Sequence, residues 1–206
     1  LHFHQHTKAE LAHYARAAFD IQFDFGGTLG FQEIEGVHHR GDFDLSRHQE
    51  YSGKKLDYFE QAANERFLPY IVETSAGADR VTLTLLVDAY REEEVEGETR
   101  VVLGFHPAVA PIKAGVFPLV KKDGMPEIAT ALYHDLKRRF PAFYDDSGAI
   151  GRRYRRMDEA GTPFGVTVDG ETTSARTVTV RHRDSMQQER VSVDQVGDYI
   201  AGRVGA

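Results

Sequence analysis

The sequence predicts a mixed α/β protein in which strands alternate with helices. Segments that alternate apolar and polar residues one by one indicate strands, and segments with apolar residues at every third or fourth position indicate helices. In the second half of the chain the two kinds of segment follow each other in turn, which is typical of a sheet with parallel strand pairs covered by helices. The 206 residues, 41% of them hydrophobic, correspond to one or two domains with ordinary packed cores.

Composition narrows the class of protein. The chain has no cysteine, which excludes disulfides and thiolate metal sites. Charged and histidine residues interrupt every apolar run near the start, and no run approaches the ~20 apolar residues of a membrane span. We therefore expect a soluble, cytoplasmic protein, and because Leu1 is not an initiator methionine we expect it to belong to a longer gene product. The net charge of -7 argues weakly against nucleic acid as a partner.

The first half of the chain predicts a small sheet with two helices. Apolar spacing predicts a short helix over 8–18 and a largely buried helix over 79–90. Strands are predicted at 20–25, 31–37 and 70–73.

The second half predicts a five-stranded sheet. The glutamate-rich stretch 91–100 is the best linker candidate, and we place the domain boundary near His106-Pro107, giving domains at 1–105 and 106–206. The predicted strands are 112–120, 142–144, 164–168, 177–181 and 189–193, with a polar loop over 170–175. The predicted helices are 126–140, 149–160 and 194–204.

The first candidate site is the acidic strand around Glu33 and Glu35. Carboxylates two residues apart lie on the same face of a strand. Carboxylates on a core-lining strand are costly unless a cation or donor meets them, and a small ammonium group would do so. The alternative is an exposed edge strand.

The second candidate site is the strand–turn–helix of residues 71–80. A helix N-terminus presents free N–H groups and a positive dipole end, which suit phosphate or carboxylate. Arg80 in the first turn adds a planar cation that stacks on a base or binds phosphate. The alternative is an ordinary structural turn whose arginine pairs with a neighbouring carboxylate.

Two clusters of basic residues complete the candidates. His2, His4 and His6 alternate on one strand face, but without a further ligand we assign no metal site. In the predicted helix over 149–160, helical spacing places the cations opposite an apolar face formed by Ile150, Tyr154 and Met157. The cations are three arginines: Arg152, Arg155 and Arg156. They either contact RNA phosphates or form a solvated helix face.

Several motifs together resemble the glycyl-tRNA synthetases of class II. Residues 73–80, Glu-Thr-Ser-Ala-Gly-Ala-Asp-Arg, are similar to motif 3 in its glycyl form. Residues 33–36, Glu-Ile-Glu-Gly, followed by Arg-Gly-Asp-Phe-Asp-Leu at 40–45, resemble the glycine-recognition strand and the loop after it. Residues 106–111, 144–156 and 161–164 look like the anticodon-binding domain of that family. The resemblance implies an antiparallel-sheet class II core portion followed by a mixed five-stranded α/β anticodon-binding domain.

The resemblance also implies roles for individual residues. Glycine would be bound by Glu33, Glu73, Thr74, Ser75, Ala76 and Gly77, with the two carboxylates on its ammonium group. ATP, accompanied by Mg²⁺, would be bound by Glu33, Ile34, Gly77, Ala78, Asp79 and Arg80. The three exposed arginines would contact tRNA-Gly. No catalytic general base is implied.

The chain also departs from the family pattern. Thr74 stands where the family usually has proline, and His38-His39 replace a smaller or amide-bearing pair. Motif 1, expected at a homodimer interface, and motif 2, with the arginine that binds the ATP α-phosphate, are not found in the sequence. We therefore expect the isolated chain to be inactive. The alternative is a non-catalytic RNA-binding or accessory protein that retains the synthetase fold.

Overall fold

The structure is a computed structural model that describes residues 1–205. The chain forms two compact units, Leu1–Val87 and Asp88–Ala206. Among the described residues, none of the helices is long and apolar enough to cross a membrane.

The first unit is built on a four-stranded antiparallel sheet in the order β1-β2-β3-β6. Its strands are β1 (His2–Gln5), β2 (Ala17–Asp24), β3 (Phe31–Gly41) and β6 (Ile71–Ala76). Between β3 and β6 lie helix α1 (Phe43–Ser52) and a hairpin of β4 (Tyr58–Glu60) and β5 (Glu65–Phe67). Helix α2 (Ala78–Ala89) follows β6 directly.

Two predictions for this unit are wrong. Residues 8–16 form turns instead of a helix, because Ala17–Asp24 is drawn into the sheet between two partner strands. Helix α2 forms as predicted, but it is not buried: Leu83 is 46% exposed, and among the residues of α2 only Ala89 is buried. Its apolar composition therefore does not reflect burial within the described chain. Helix α1, which has no apolar periodicity, was not predicted.

The second unit contains the predicted five-stranded mixed sheet, in the order β10-β9-β11-β12-β13. Strand β9 (Ala114–Pro118) pairs in parallel with β10 (Ala142–Tyr144) and β11 (Phe164–Val168). Strands β12 (Thr177–His182) and β13 (Gln188–Ser192) continue the sheet in antiparallel fashion. The accompanying helices are α3 (Met125–Lys137), α4 (Ile150–Glu159), α5 (Gly170–Ala175) and α6 (Val196–Val204).

The core of this unit explains why the prediction of its sheet is confirmed. The strands β9 and β11 are buried throughout, and Leu132, Leu136 and Ile200 from two helices pack with them in one apolar cluster. Burying these side chains stabilises the unit by roughly 2 kcal/mol each. The predicted polar loop over 170–175 is wrong, because Asp169 caps the N-terminus and a short helix forms.

The predicted linker over 91–100 is also wrong. Strands β7 (Tyr90–Val95) and β8 (Glu98–Leu103) form a hairpin that belongs to the second unit. Four of the glutamates are exposed: Glu92, Glu94, Glu96 and Glu98. Glu93 is half-buried and pairs with Arg100, which is 1% exposed and also bonded to Asp158 of α4. The division after Val87 therefore lies before the hairpin, whereas the predicted boundary at His106-Pro107 lies after it. The charge pattern alone had suggested that these residues form a linker.

Candidate functional site

The candidate amino-acid site lies on one face of the four-stranded sheet. In the β3–β6 register, Ser75 stands opposite Gly36 and Glu73 stands opposite His38. Directly opposed residues of an antiparallel pair carry their side chains on the same face. The structure therefore places Ser75 and Glu73 on the face that Gly36 and His38 share.

A β-bulge brings Glu33 to this face. The β2–β3 register pairs Ile21 with Glu35 and Gln22 with Glu33, so Ile34 is the extra residue. A bulge shifts the alternation of side chains and redirects the residue beside it. A carboxylate oxygen of Glu33 consequently lies near Gly36, while Glu35 stands on the opposite face, across from Ala76. The prediction that Glu33 and Glu35 share a face is wrong for this reason.

The candidate ATP site is a cavity of about 400 Å³ at the start of α2. A guanidinium nitrogen of Arg80 donates to the backbone carbonyl of Glu33 at 2.6 Å, so the helix and β3 are joined across the cavity. Residues of the first helical turn line the same cavity, and the free N–H groups at a helix N-terminus suit an anionic group. Seven of the predicted residues line this cavity: Glu33, Ile34, Ser75, Gly77, Ala78, Asp79 and Arg80.

Glu73 does not line the cavity, because its carboxylate is held by Arg40. Arg40 Nη1 donates to Glu73 Oε2 at 2.6 Å, and its other two nitrogens form a fork with Asp44 at 2.6 and 2.8 Å. The guanidinium also lies 4.1 Å from the centre of the Tyr14 ring. The Arg40 hydrogen bond holds the pKa of Asp44 below its usual range. Three neighbours thus fix the arginine that orients Glu73.

Thr74 and Ala76 alternate with these residues and stand on the other face, opposite Val37 and Glu35. That Thr74 and Ala76 bind glycine stays a prediction. Since their side chains are on the other face, only their backbone groups would contact the substrate. The prediction overlooked Arg40 as an orienting residue. The signal was present as the i, i+4 spacing of Arg40 and Asp44.

The candidate RNA-contacting residues lie on α4 of the second unit. Arg156 donates through Nε to Asp145 at 2.9 Å and also to the carbonyl of Ser147. Burial raises the pKa of Asp145, but hydrogen bonds from the Ser147 amide and Arg156 outweigh it and hold the pKa below its ordinary value. Arg155 contacts Glu98 at 3.2 Å. Arg152 is exposed and has no side-chain partner within residues 1–205.

The prediction for α4 is confirmed for its apolar face and incomplete for its arginines. Met157 is buried, and the Tyr154 hydroxyl lies 2.6 Å from the hydroxyl of Thr167. Arg153, which the periodicity left unassigned, is 3% exposed and donates to the carbonyls of Pro118 and Gly148. It stabilises the strand and loop around α4 and is not available to RNA.

The comparisons with known proteins agree with this architecture. Residues 111–203, which carry the five-stranded sheet, match the family model described as anticodon binding domain. The second unit therefore resembles the anticodon-binding domain of class II aminoacyl-tRNA synthetases. The chain is homologous to a C-terminal portion of proteins named "Glycine--tRNA ligase".

The sequence similarity extends over both units. The chain is 52% identical over 204 residues to the "Glycine--tRNA ligase" of Chlorobaculum tepidum, covering 99% of this chain and 43% of that protein. It is 52% identical over 200 residues to that of Caldanaerobacter subterraneus subsp. tengcongensis, covering 97% and 42%. It is 53% identical over 197 residues to that of Treponema denticola, covering 93% and 43%. The chain thus spans less than half the length of these relatives.

Proposed function

We propose that this chain is the C-terminal portion of a glycine–tRNA ligase, an enzyme that activates glycine with ATP and transfers it to tRNA-Gly. The observation that carries the proposal is that Glu33, Glu73 and Ser75 lie on one face of the sheet and that Glu33 and Ser75 line the cavity that Arg80 borders. The sequence identity to glycine–tRNA ligases across 99% of the chain supports it.

The proposed chemistry is electrostatic. The carboxylates of Glu33 and Glu73 accept hydrogen bonds from the glycine ammonium group, and charged partners make such bonds strong. Arg80 and the first turn of α2 hold the adenine and phosphate side of ATP. Mg²⁺ bound to ATP would neutralise part of the phosphate charge. No general base is required of this chain, because adenylate formation needs stabilisation of the charge that develops on the α-phosphate.

The second unit is proposed to bind the anticodon region of tRNA-Gly. The family match at residues 111–203 supports this role, and Arg152 offers an unpaired cation for a phosphate. We also propose that the ligase is a homodimer through parts outside this chain. Size-exclusion chromatography with light scattering should then give a monomer for this chain and a dimer for the complete enzyme.

The test uses a complete ligase, defined here as this chain joined to the part of the Chlorobaculum tepidum relative that precedes the matched region. Glycine-dependent ATP–pyrophosphate exchange should occur in the complete ligase and be undetectable for residues 1–206 alone. Glu73→Ala should lose most of the exchange activity, since a desolvated ammonium group loses a charged partner. Glu35→Ala is the matched control, because Glu35 is a carboxylate of the same sheet on the opposite face.

The alternative is a non-catalytic RNA-binding protein that retains the fold. An accessory protein has no need of an amino-acid pocket, whereas this chain retains four residues that the resemblance assigns to such a pocket and to ATP: Glu33, Glu73, Ser75 and Arg80. A complete ligase that binds tRNA but exchanges with no amino acid would favour the accessory role. Exchange by residues 1–206 alone would show that the missing motifs are dispensable.

A further inference from the structure

The first unit has a further cavity, which lies outside the proposed glycine and ATP sites. It encloses about 380 Å³ between the turns of residues 13–16 and the segment 40–50, which includes most of helix α1. This volume lies within the roughly 300–1,000 Å³ that small-ligand pockets occupy. The segment 40–50 begins with Arg-Gly-Asp-Phe-Asp-Leu, of which the proposed glycine site uses only Arg40 and its partner Asp44.

Aromatic rings form one part of the cavity lining: His13, Tyr14 and Phe43. The centre of the His13 ring lies 5.2 Å from that of Tyr14 and 5.5 Å from that of Phe43, and both contacts are edge to face. His13 is an exposed residue, and the other two are half-buried. Aromatic rings that border a cavity in this way suit the stacking of an unpaired nucleic-acid base.

Three guanidinium groups lie beside these rings: Arg16, Arg40 and Arg47. The Arg40 guanidinium lies 4.1 Å from the centre of the Tyr14 ring, and that of Arg47 lies 5.7 Å from the centre of the Phe43 ring. The plane of an arginine both stacks on a base and donates paired hydrogen bonds to a phosphate. Aromatic rings together with guanidinium planes are the combination by which proteins hold single-stranded RNA.

Two of the arginines can exchange their partners for a ligand. Arg16 is paired with Asp42 at 3.1 Å and Arg47 with Glu50 at 2.9 Å, and all four side chains are about half exposed. Ion pairs so exposed to water are weak. When a phosphate replaces the carboxylates, these become acceptors for the exocyclic amino group of a base. Because the two carboxylates offset two of the three cations, the cavity suits a single nucleotide and not the long phosphate backbone of a duplex.

Arg40 connects this cavity with the proposed glycine site. Its guanidinium borders the cavity, and its Nη1 donates to the carboxylate of Glu73 at 2.6 Å. A ligand in the cavity is therefore separated from the glycine site by one side chain. In the transfer step of the proposed reaction, the part of tRNA that must come this close is its 3′ end, because glycine is attached there. The nucleotides of that end are unpaired.

We propose that the cavity binds a nucleotide of the unpaired 3′ end of tRNA-Gly. The base stacks on the aromatic rings, and Arg16 and Arg47 donate to the phosphate. The inference rests on the proposed function, since it assigns a site to the second substrate of the same reaction. Arg40 holds Glu73 on the glycine side and borders the nucleotide on the other, so one guanidinium plane separates the two substrates.

The experiment compares Arg47→Gln with Arg66→Gln in the complete ligase. Both residues are exposed arginines of the first unit whose guanidinium lies over a phenylalanine ring, but Arg66 is not part of the cavity lining. We expect Arg47→Gln to raise KM for tRNA-Gly in glycylation by about fivefold or more, and His13→Ala to raise it in the same direction. Glycine-dependent ATP–pyrophosphate exchange, which needs no tRNA, should stay within about twofold in all three variants.

A tRNA-Gly without its unpaired 3′ nucleotides identifies the part of the RNA that occupies the cavity. Arg47→Gln should weaken filter binding of the complete tRNA. It should leave binding of the shortened tRNA as it is in the unchanged ligase, because the shortened RNA no longer reaches the cavity. Equal weakening for both RNAs would overturn the proposal, since the arginine would then contact another part of tRNA.

The remaining outcomes separate this site from the proposed function. An unchanged KM for tRNA-Gly in Arg47→Gln, or the same rise in Arg66→Gln, would overturn the proposal. A rise in KM for ATP in the exchange reaction would also overturn it, since the cavity would then take a free nucleotide. If the unchanged complete ligase shows no exchange with glycine, the proposed function fails instead.

Discussion

The buried ion network of the second unit gives the sharpest stability prediction. Asp158 is 1% exposed, and its carboxylate accepts hydrogen bonds from Arg100 Nε at 3.0 Å and from two nitrogens of Arg181 at 2.9 and 3.2 Å. The change Asp158→Asn keeps the size of the side chain, removes the negative charge and turns an N–H₂ group toward the guanidinium groups. Breaking a buried pair in this way costs ~3–5 kcal/mol. Arg100 keeps its ion pair with Glu93, at 2.6 Å, in this variant. We therefore expect the free energy of unfolding to fall by about 3 kcal/mol, the lower end of that range.

The assay is hydrogen exchange with mass spectrometry, which reports on each unit separately. Amides of β12 and α4 that exchange through global opening should exchange roughly 100-fold faster in Asp158→Asn, and the calorimetric transition of this unit should fall by roughly 10 °C. Asp198→Asn is the matched control: it breaks an ion pair with Arg139, but Asp198 is 79% exposed, so the cost should stay below about 1 kcal/mol. Equal exchange rates for the two variants would refute the reasoning.

Three further predictions concern the candidate sites. In the complete ligase, Arg40→Lys should raise KM for glycine several-fold and leave KM for ATP unchanged, because lysine cannot make the fork that orients Glu73. Arg152→Gln should weaken tRNA binding with little sequence dependence and reduce the slope of log K against log salt by roughly 0.7–0.9, as measured by filter binding. The hydrogen bond that the His6 ring donates to the Asp20 carboxylate raises the pKa of His6 above 6.5, so an NMR titration should give a midpoint above that value, and Asp20→Asn should lower it.

The His6 shift also fixes a direction for stability. Because the pKa of the folded state is raised, the contribution of the His6–Asp20 pair is fully present below pH 6.5 and is lost as the pH rises through the pKa of the folded protein. Increasing stability of the first unit above pH 7 would contradict this sign.

An unchanged salt slope in Arg152→Gln would mean that RNA is held elsewhere, and an equal rise in both KM values for Arg40→Lys would mean a general disturbance of the site.

The sequence predicts the second unit better than the first, for physical reasons. The strands β9 and β11 of the five-stranded sheet are short, mostly apolar runs, and because they are buried on both faces their composition alone identifies them. The hairpin over 90–103 was missed because its glutamates dominate the pattern, whereas its stability depends on one buried arginine whose partner lies 58 residues away. Arg153 was missed for a similar reason, since its partners are backbone carbonyls that no sequence pattern reveals.

The candidate site was predicted through its residue types, not through its geometry. The motif around Glu73 and Arg80 identified the strand–turn–helix, which the structure confirms. The bulge at Ile34, which decides the face on which Glu33 lies, leaves no mark in the alternation of side chains. The exposed apolar side chains of α2 look like core residues in the sequence, because composition does not reveal what a helix packs against.

The most direct test of the central claim is a crystal structure of the complete ligase with a non-hydrolysable glycyl-adenylate analogue. We predict that the ammonium group lies within hydrogen-bonding distance of the Glu33 and Glu73 carboxylates, and that the adenylate occupies the cavity beside Arg80 at the start of α2. An analogue bound with its ammonium group away from both carboxylates, or excluded from this sheet face, would contradict the assignment of the glycine site to this chain.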